Sequence, residues 1–169
     1  KYTDEPVDEK DLEKILEAVR MAPSWANTQC VFLVVVDDPK VKAALQRTLP
    51  EGNPARDAVV KAPCVVALCA QKGLSGFYKE QEVTPFGDWY LFDAGLACQN
   101  LALAAHALGY ATVNVGLMDQ KRAGDILGLK EGAVLLELLP LGRAAGDPPR
   151  APKRKPLEDL VYKNHVPSA

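Results

Sequence analysis

From Trp89 to Leu108 the chain carries its longest helical pattern, rich in Ala and Leu, nearly free of charge, and stopped by Gly109 in the place of a C-terminal cap. No other segment constrains the fold as strongly, because a helix apolar on every face has to be covered on every face. Either it lies in the middle of the core or part of its surface meets another subunit. At 169 residues and 48% hydrophobic composition, the chain can bury one sizeable core but is too short for two ordinary domains. Residues 1–169 are therefore expected to form one domain, with 142–169 as an extended C-terminal arm. Such a domain has little room at its centre, which favours an interface for the helix.

The remaining pattern alternates helices and strands. Asp8 caps an expected helix in which Leu12, Ile15, Leu16 and Val19 recur at helical spacing, ending near Met21 ahead of Pro23. Val31 to Val36 is a continuous apolar run, as expected of a central strand covered on both faces. Asp38-Pro39 opens a second helix running towards Leu49, followed by the loop Pro50 to Pro54. Cys64 to Ala70 reads as a buried strand. Gln71 to Asp88, with its scattered Gly, Pro and aromatic residues, is long for a plain connection and reads as functional or mobile. Tyr110 to Gly116 reads as a strand, Asp119 to Leu127 as a helix closed by Gly128, and Ala133 to Leu141 as the last strand. Pro148, Pro149, Pro152 and Pro156 then stud a basic stretch that ends in apolar residues, an arm suited to wrapping a partner subunit.

Charge narrows the partners. Lys and Arg number 20 against 22 Asp and Glu, a net charge of −2, so the overall balance points to neither nucleic acid nor an anionic membrane. The opening Lys1 to Pro6 has no apolar leader, and no run reaches the roughly 18 to 20 apolar residues that span a bilayer. The expectation is a cytoplasmic protein. Cys30, Cys64, Cys69 and Cys98 sit in apolar or helical stretches without CxxC or zinc-ligand spacing, and read as reduced core thiols.

Periodicity alone favours a doubly wound parallel sheet. The phosphate loops of that fold are missing, with no GxGxxG after the first strand and no Walker sequence. There is no Gly-x-Ser-x-Gly elbow. With His106 in the apolar helix and His165 near the end, no His-based triad or metal cluster can be drawn, so neither catalytic side chains nor metal ligands are assigned.

Ala22-Pro23-Ser24-Trp25-Ala26-Asn27-Thr28-Gln29, placed between an amphipathic helix and a strand, resembles the signature of the FMN-dependent nitroreductase family. Lys1 to Val7 resembles that family's lead-in to its first helix. Asp93 to Leu101 with Ala105 to Gly109 is similar to its central helix, Val113-Asn114-Val115-Gly116 to its flavin-facing strand end, and Arg154-Lys155-Pro156-Leu157 to its arm. The resemblance runs the length of the chain. It implies an α+β fold in three layers, a mostly antiparallel sheet flanked by helices, against the parallel reading. It also implies a homodimer with exchanged C-terminal arms and FMN held between the subunits.

The resemblance further implies a site. Pro23, Ser24, Trp25, Asn27 and Gln29 are expected along the isoalloxazine edge and ribityl chain, where fixed donors stabilise the negative charge of reduced flavin without proton-transfer side chains. Asn114, Val115 and Gly116 are expected at the strand end, with a backbone N–H directed at flavin N5. Arg154, a bidentate phosphate donor, and its neighbour Lys153 are expected on the FMN phosphate. Phe77, Tyr78, Phe86 and Trp89 are candidates for the substrate side. The family's main phosphate grip, an N-terminal Arg-x-Ser-x-Arg, would precede Lys1, and a start without Met reads as truncation.

The activity implied is ping-pong transfer of a hydride from NAD(P)H through the flavin to a nitroaromatic, quinone or similar acceptor. Two alternatives share these motifs: a non-catalytic dimer that binds or senses FMN, and another reductive activity on the same fold, such as dehalogenation.

Overall fold

The Asp8 carboxylate accepts from the amides of Lys10 and Asp11 and so starts α1 (Glu9–Arg20), with Glu9 and Asp11 in the first turn where the helix dipole favours them. The computed structural model describes residues 1–147 and 150–166, so Pro148 and Pro149 of the arm lie outside the described residues. A 3₁₀ turn (Trp25–Asn27) leads into β1 (Val31–Val36). Asp38 caps α2 (Pro39–Gln46) from the position before its first-turn proline. There follow α3 (Arg56–Lys61), β2 (Cys64–Gln71), a short hairpin of β3 (Phe77–Tyr78) and β4 (Gln81–Glu82), α4 (Tyr90–Ala107), β5 (Ala111–Thr112), α5 (Gln120–Ile126) and β6 (Ala133–Gly142). A 3₁₀ turn at Leu157–Asp159 punctuates the arm.

The main sheet has the order β1-β2-β6-β5 with every pair antiparallel. This corrects the parallel sheet that periodicity favours and agrees with the α+β fold of the resemblance. For β1 and β2 the physical reason is α3, which the sequence pattern does not reveal, while β5 and β6 run antiparallel although the single helix α5 joins them. Two helices, not one, connect β1 to β2: α2 leads away, α3 returns, and β2 begins beside the end of β1, where Val36 pairs with Val65. β1 is also an edge strand in this chain rather than a central one, with Phe32 37% and Val35 41% exposed. The buried strand is β2, whose residues alternate strictly between two cores.

Cys64, Val66 and Leu68 face one core with Ile15 and Val19 of α1 and Ala94, Ala97, Leu101 and Ala105 of α4. Val65, Ala67 and Cys69 face the other, with Leu45 of α2, Val59 of α3 and Ala123 of α5. The result is helix, sheet, helix. In β6 the register shifts opposite Leu68 and Cys69, which pair with Glu137 and Leu135, so Leu136 is the extra residue of a β-bulge. The strand expected over Tyr110 to Gly116 is reduced to β5 and a single bridge between Val115 and Leu138.

The long helix is not covered on every face within one chain. Asp93, Ala94, Ala97, Cys98, Leu101 and Ala105 are buried. Leu91, Phe92 and Leu103 are 62%, 58% and 58% exposed, and His106 is exposed as well. The arm is exposed over all its described residues from 150 to 166, including Leu157, Leu160, Val161 and Tyr162. Among the described residues no helix is long and apolar enough to cross a membrane, and no cluster of potential metal ligands is present.

Candidate functional site

Between α1 and β1 the backbone is forced into a tight path. Ala26, Asn27 and Gln29 all adopt left-handed conformations, with φ of 47°, 56° and 52°. Each such residue costs on the order of 1–3 kcal/mol and persists only where its surroundings hold it. Two anchors do so. The Ser24 hydroxyl accepts from the Gln29 amide at 2.9 Å, and the Trp25 amide donates to Asp93 Oδ1 at 3.0 Å. Asn27 and Gln29 remain exposed, and their side-chain amides make no hydrogen bond among the described residues. Pro23, Ser24 and Gln29 open onto a cavity of about 320 Å³ that is walled by α1, β1 and the Asp93–Ala97 turn of α4.

Asp93 was not legible as a site residue. Its place in the first turn of α4 suggests an exposed acid favoured by the helix dipole, yet it is 1% exposed. Besides the Trp25 amide it accepts from the Ser75 hydroxyl and, at 3.5 Å, from the Cys30 thiol. Among the described residues it has no cationic partner.

The strand-end candidates occupy a second place. The Val115 amide donates to Leu138 O at 3.0 Å and its carbonyl accepts from Leu138 N, so Val115 is committed to the sheet. Among the described residues the Gly116 amide has no such partner, and a Cβ built at Gly116 would rest in ordinary contact with Glu137 Cγ at 3.9 Å. Asn114 donates to Cys98 Sγ at 3.2 Å, and Cys98 in turn points at Glu137. Gln120, which donates to Gly116 O, and Glu137 border a cavity of about 410 Å³. It shares no lining residue with the cavity beneath the Pro23 loop.

The aromatic candidates form a third group. Trp89 stacks edge-on between Phe86 at 5.9 Å and Phe92 at 5.2 Å, and its indole N–H donates to Thr84 Oγ1 at 2.6 Å. Phe77 and Tyr78 make up β3, and Tyr78 is exposed beneath the Lys79 ammonium. Lys153 and Arg154 stand apart on the exposed arm, and among the described residues Arg154 donates only to Pro152 O within it. One chain thus brings Pro23, Ser24, Trp25, Asn27 and Gln29 together over Asp93, and leaves Asn114–Gly116 and the arm elsewhere.

All four cysteines are buried and free. Burial, reinforced by the Asp93 carboxylate, pushes the Cys30 thiol up to about 11. Burial, reinforced by Glu137, does the same to Cys98, while burial takes Cys64 to about 11 and Cys69 to about 12. An unfolded thiol titrates near 8.5, so the folded state holds these protons longer than the unfolded state does. Their contribution to stability is complete below about pH 8.5 and is lost as pH rises through about 11. The melting temperature is expected to fall steeply between pH 9 and 11. A flat profile over that window would contradict the burial of the thiols.

The sequence model of the nitroreductase family matches residues 1–143. The FMN reductase [NAD(P)H] of Bacillus subtilis is 31% identical to this chain over 177 residues, covering 96% of the chain and 70% of the relative. Nitroreductase A from Vibrio parahaemolyticus superposes with a TM-score of 0.80 at 26% identity, over 100% of this chain and 72% of its own. A nitroreductase family protein from Streptococcus pneumoniae has the same fold, with a TM-score of 0.83 at 22% identity over 96% and 93% of the two chains. With the antiparallel three-layer fold and a match that takes in the strained Pro23 loop, the central helix and the Gly116 strand end, the chain belongs to the nitroreductase family.

Proposed function

We propose that the protein is an NAD(P)H-dependent flavin oxidoreductase that works as a homodimer, with FMN held where two subunits meet and a nitroaromatic, quinone or similar molecule as acceptor. The observation that carries this reading is the loop from Pro23 to Gln29. Three non-glycine residues are held there in left-handed backbone at evident cost, and the outcome is two neutral amide side chains facing outward without partners. Neutral donors and acceptors fit the polar rim of an isoalloxazine. The relative of B. subtilis is named for FMN and NAD(P)H.

FMN, when bound, supplies a hydride acceptor and donor at N5, chemistry that no side chain here offers. Asn27 and Gln29 would hydrogen-bond the ring edge, with Pro23, Ser24 and Trp25 fixing their backbone. Gly116 would contribute towards N5 an amide that has no partner among the described residues, with no side chain of its own in the way, and Asn114 and Val115 would hold that strand end in place. Lys153 and Arg154 would grip the phosphate. Phe77, Tyr78, Phe86 and Trp89 would wall the acceptor side against water.

The homodimer is supported by the division of these groups. Among the described residues, the cavity beneath the Pro23 loop and the one bordered by Gln120 and Glu137 share no lining residue, and neither is lined by the arm. A ligand touched by all three therefore needs a second chain to bring them together. The exposed apolar residues of α4, β1 and the arm supply the surface for that contact.

The purified protein is expected to be yellow, to bleach anaerobically with NADPH or NADH, and to recover its colour with menadione, nitrofurazone, a halogenated phenol or free FMN, whichever class it accepts. A yellow protein inert to both nicotinamides would establish the binding or sensing role instead. Asn27→Leu keeps volume but removes donor and acceptor, leaving flavin atoms unpaired at about 1–3 kcal/mol, or roughly 5- to 150-fold in Kd. It is expected to weaken FMN binding and shift the flavin midpoint potential. An unchanged potential with a lower-melting apoprotein would mean that Asn27 holds only its own turn.

A further inference from the structure

Asp93 joins two segments that are distant in sequence. Through Oδ1 it takes the Trp25 amide of the Pro23 loop, and through Oδ2 it takes the Ser75 hydroxyl of the segment that bears the aromatic residues. Ser75 is fully buried, and its carbonyl accepts from the Trp89 amide at 2.9 Å. The next residue, Gly76, has φ +88°, and a Cβ there would meet Gly87 O at 2.5 Å and Trp89 Cδ1 at 2.7 Å. Gly76 O also accepts from Val83 N. The segment from Ser75 to Trp89 is therefore closed tightly on itself, and a displacement of Ser75 has to carry Trp89 and the hairpin with it.

On the other side the contact is as direct. Gln29 is tied to Ser24, and the next residue, Trp25, is tied to Asp93. A continuous path thus runs from Gln29, whose side-chain amide has no partner among the described residues, through one buried carboxylate to the indole of Trp89. If Asp93 merely favoured its own helix dipole, it would be exposed and would bond within its own turn. Instead it is buried with all three donors supplied by other elements.

We infer that Asp93 is a positioning residue that couples the two halves of the site, so that FMN binding at the Pro23–Gln29 loop orders the aromatic segment from Gly73 to Trp89 against which the acceptor docks. This rests on the flavin reading of the loop. The coupling arises because strain held in the loop and order in the aromatic segment depend on the same carboxylate, and a ligand that fixes one reduces the cost of ordering the other.

The test is amide hydrogen exchange of the apoprotein with and without saturating FMN, in the wild type and in Ser75→Ala. That variant deletes one hydroxyl and leaves the Trp25–Asp93 bond in place, and its melting temperature is checked beside the wild type. In the wild type FMN is expected to slow exchange both at residues 22–31 and at 73–89. In Ser75→Ala the protection at 22–31 should remain while that at 73–89 is lost. The KM for menadione should rise roughly three- to tenfold, the scale of one lost hydrogen bond. Protection at 73–89 that persists in Ser75→Ala would overturn the coupling and indicate direct contact of that segment with FMN. Absence of protection at 22–31 in the wild type would overturn the flavin reading of the loop, and the coupling with it.

Discussion

Asp93→Ala is expected to lower the melting temperature by roughly 5 to 15 °C and to leave the protein pale after purification. Truncation removes one acceptor and strands three donors: the Trp25 amide, the Ser75 hydroxyl and the Cys30 thiol. A buried polar group left unpaired costs about 1–3 kcal/mol, and the amide and hydroxyl together come to about 2–4 kcal/mol once the hydroxyl is allowed to rotate. For a chain of this size each kcal/mol moves the midpoint by roughly 2–4 °C. An opposing effect has to be weighed, because removing a buried carboxylate also removes its desolvation cost. Relief of that kind wins only when the partners are replaced too, and here they remain. The loss of colour follows from the loop: without Asp93 the Trp25 amide loses its anchor, the Ser24–Gln29 bond is left to hold the turn, and the left-handed run from Ala26 to Gln29 can relax. A melting temperature equal to or above the wild type, with full colour, would show that the carboxylate is dispensable to both.

Arg154→Ala is expected to release FMN while leaving the melting temperature of the apoprotein unchanged. The side chain is exposed and, among the described residues, donates only to Pro152 O within the arm, so no core contact of one chain is lost with it. A charge-assisted bond to phosphate is worth about 1.5–3 kcal/mol, or roughly 10- to 150-fold in Kd. Equilibrium dialysis at sub-micromolar protein measures it directly. If FMN occupancy matches the wild type, the phosphate is held by another group; Lys153→Ala, run in parallel, identifies whether that group is its neighbour.

Strong local chemistry made most elements readable from the sequence. Asp8 and Asp38 announce α1 and α2 because a carboxylate before a helix satisfies amides that nothing else can reach. β2 announces itself by an unbroken apolar run and β6 by one interrupted at Glu137. The six residues of α3 are fewer than two turns, start without a side-chain cap and carry no period to detect. That omission reverses the inferred direction of β1 against β2, since one connecting helix suggests a parallel neighbour and two returned an antiparallel one, whereas β5 and β6 are antiparallel with the single helix α5 between them. The edge position of β1 was equally hidden: Val31 to Val36 has the composition of a strand buried on both faces, although one chain buries only Val36 among its six residues. The site was legible as a motif, Pro23 to Gln29, whereas Asp93 and Ser75 were not, because their partners lie 68 and 18 residues away in sequence. The commitment of the Val115 amide to Leu138 is of the same kind.

The first residues of the chain and the end of β6 fasten to one another: Thr3 N donates to Arg143 O, Ala145 N donates to Lys1 O, and Arg143 bonds Glu5 while lying 4.5 Å over the Tyr110 ring. Directly beyond this clasp comes Gly146, at φ +93°, a backbone state that costs glycine little. The described part of the arm, 150 to 166, is exposed throughout and belongs to neither core. In mechanical terms the clasped core is a fixed mount and the arm a fitting attached outside it, so substitutions there act on what the arm covers and not on the contacts that hold the core.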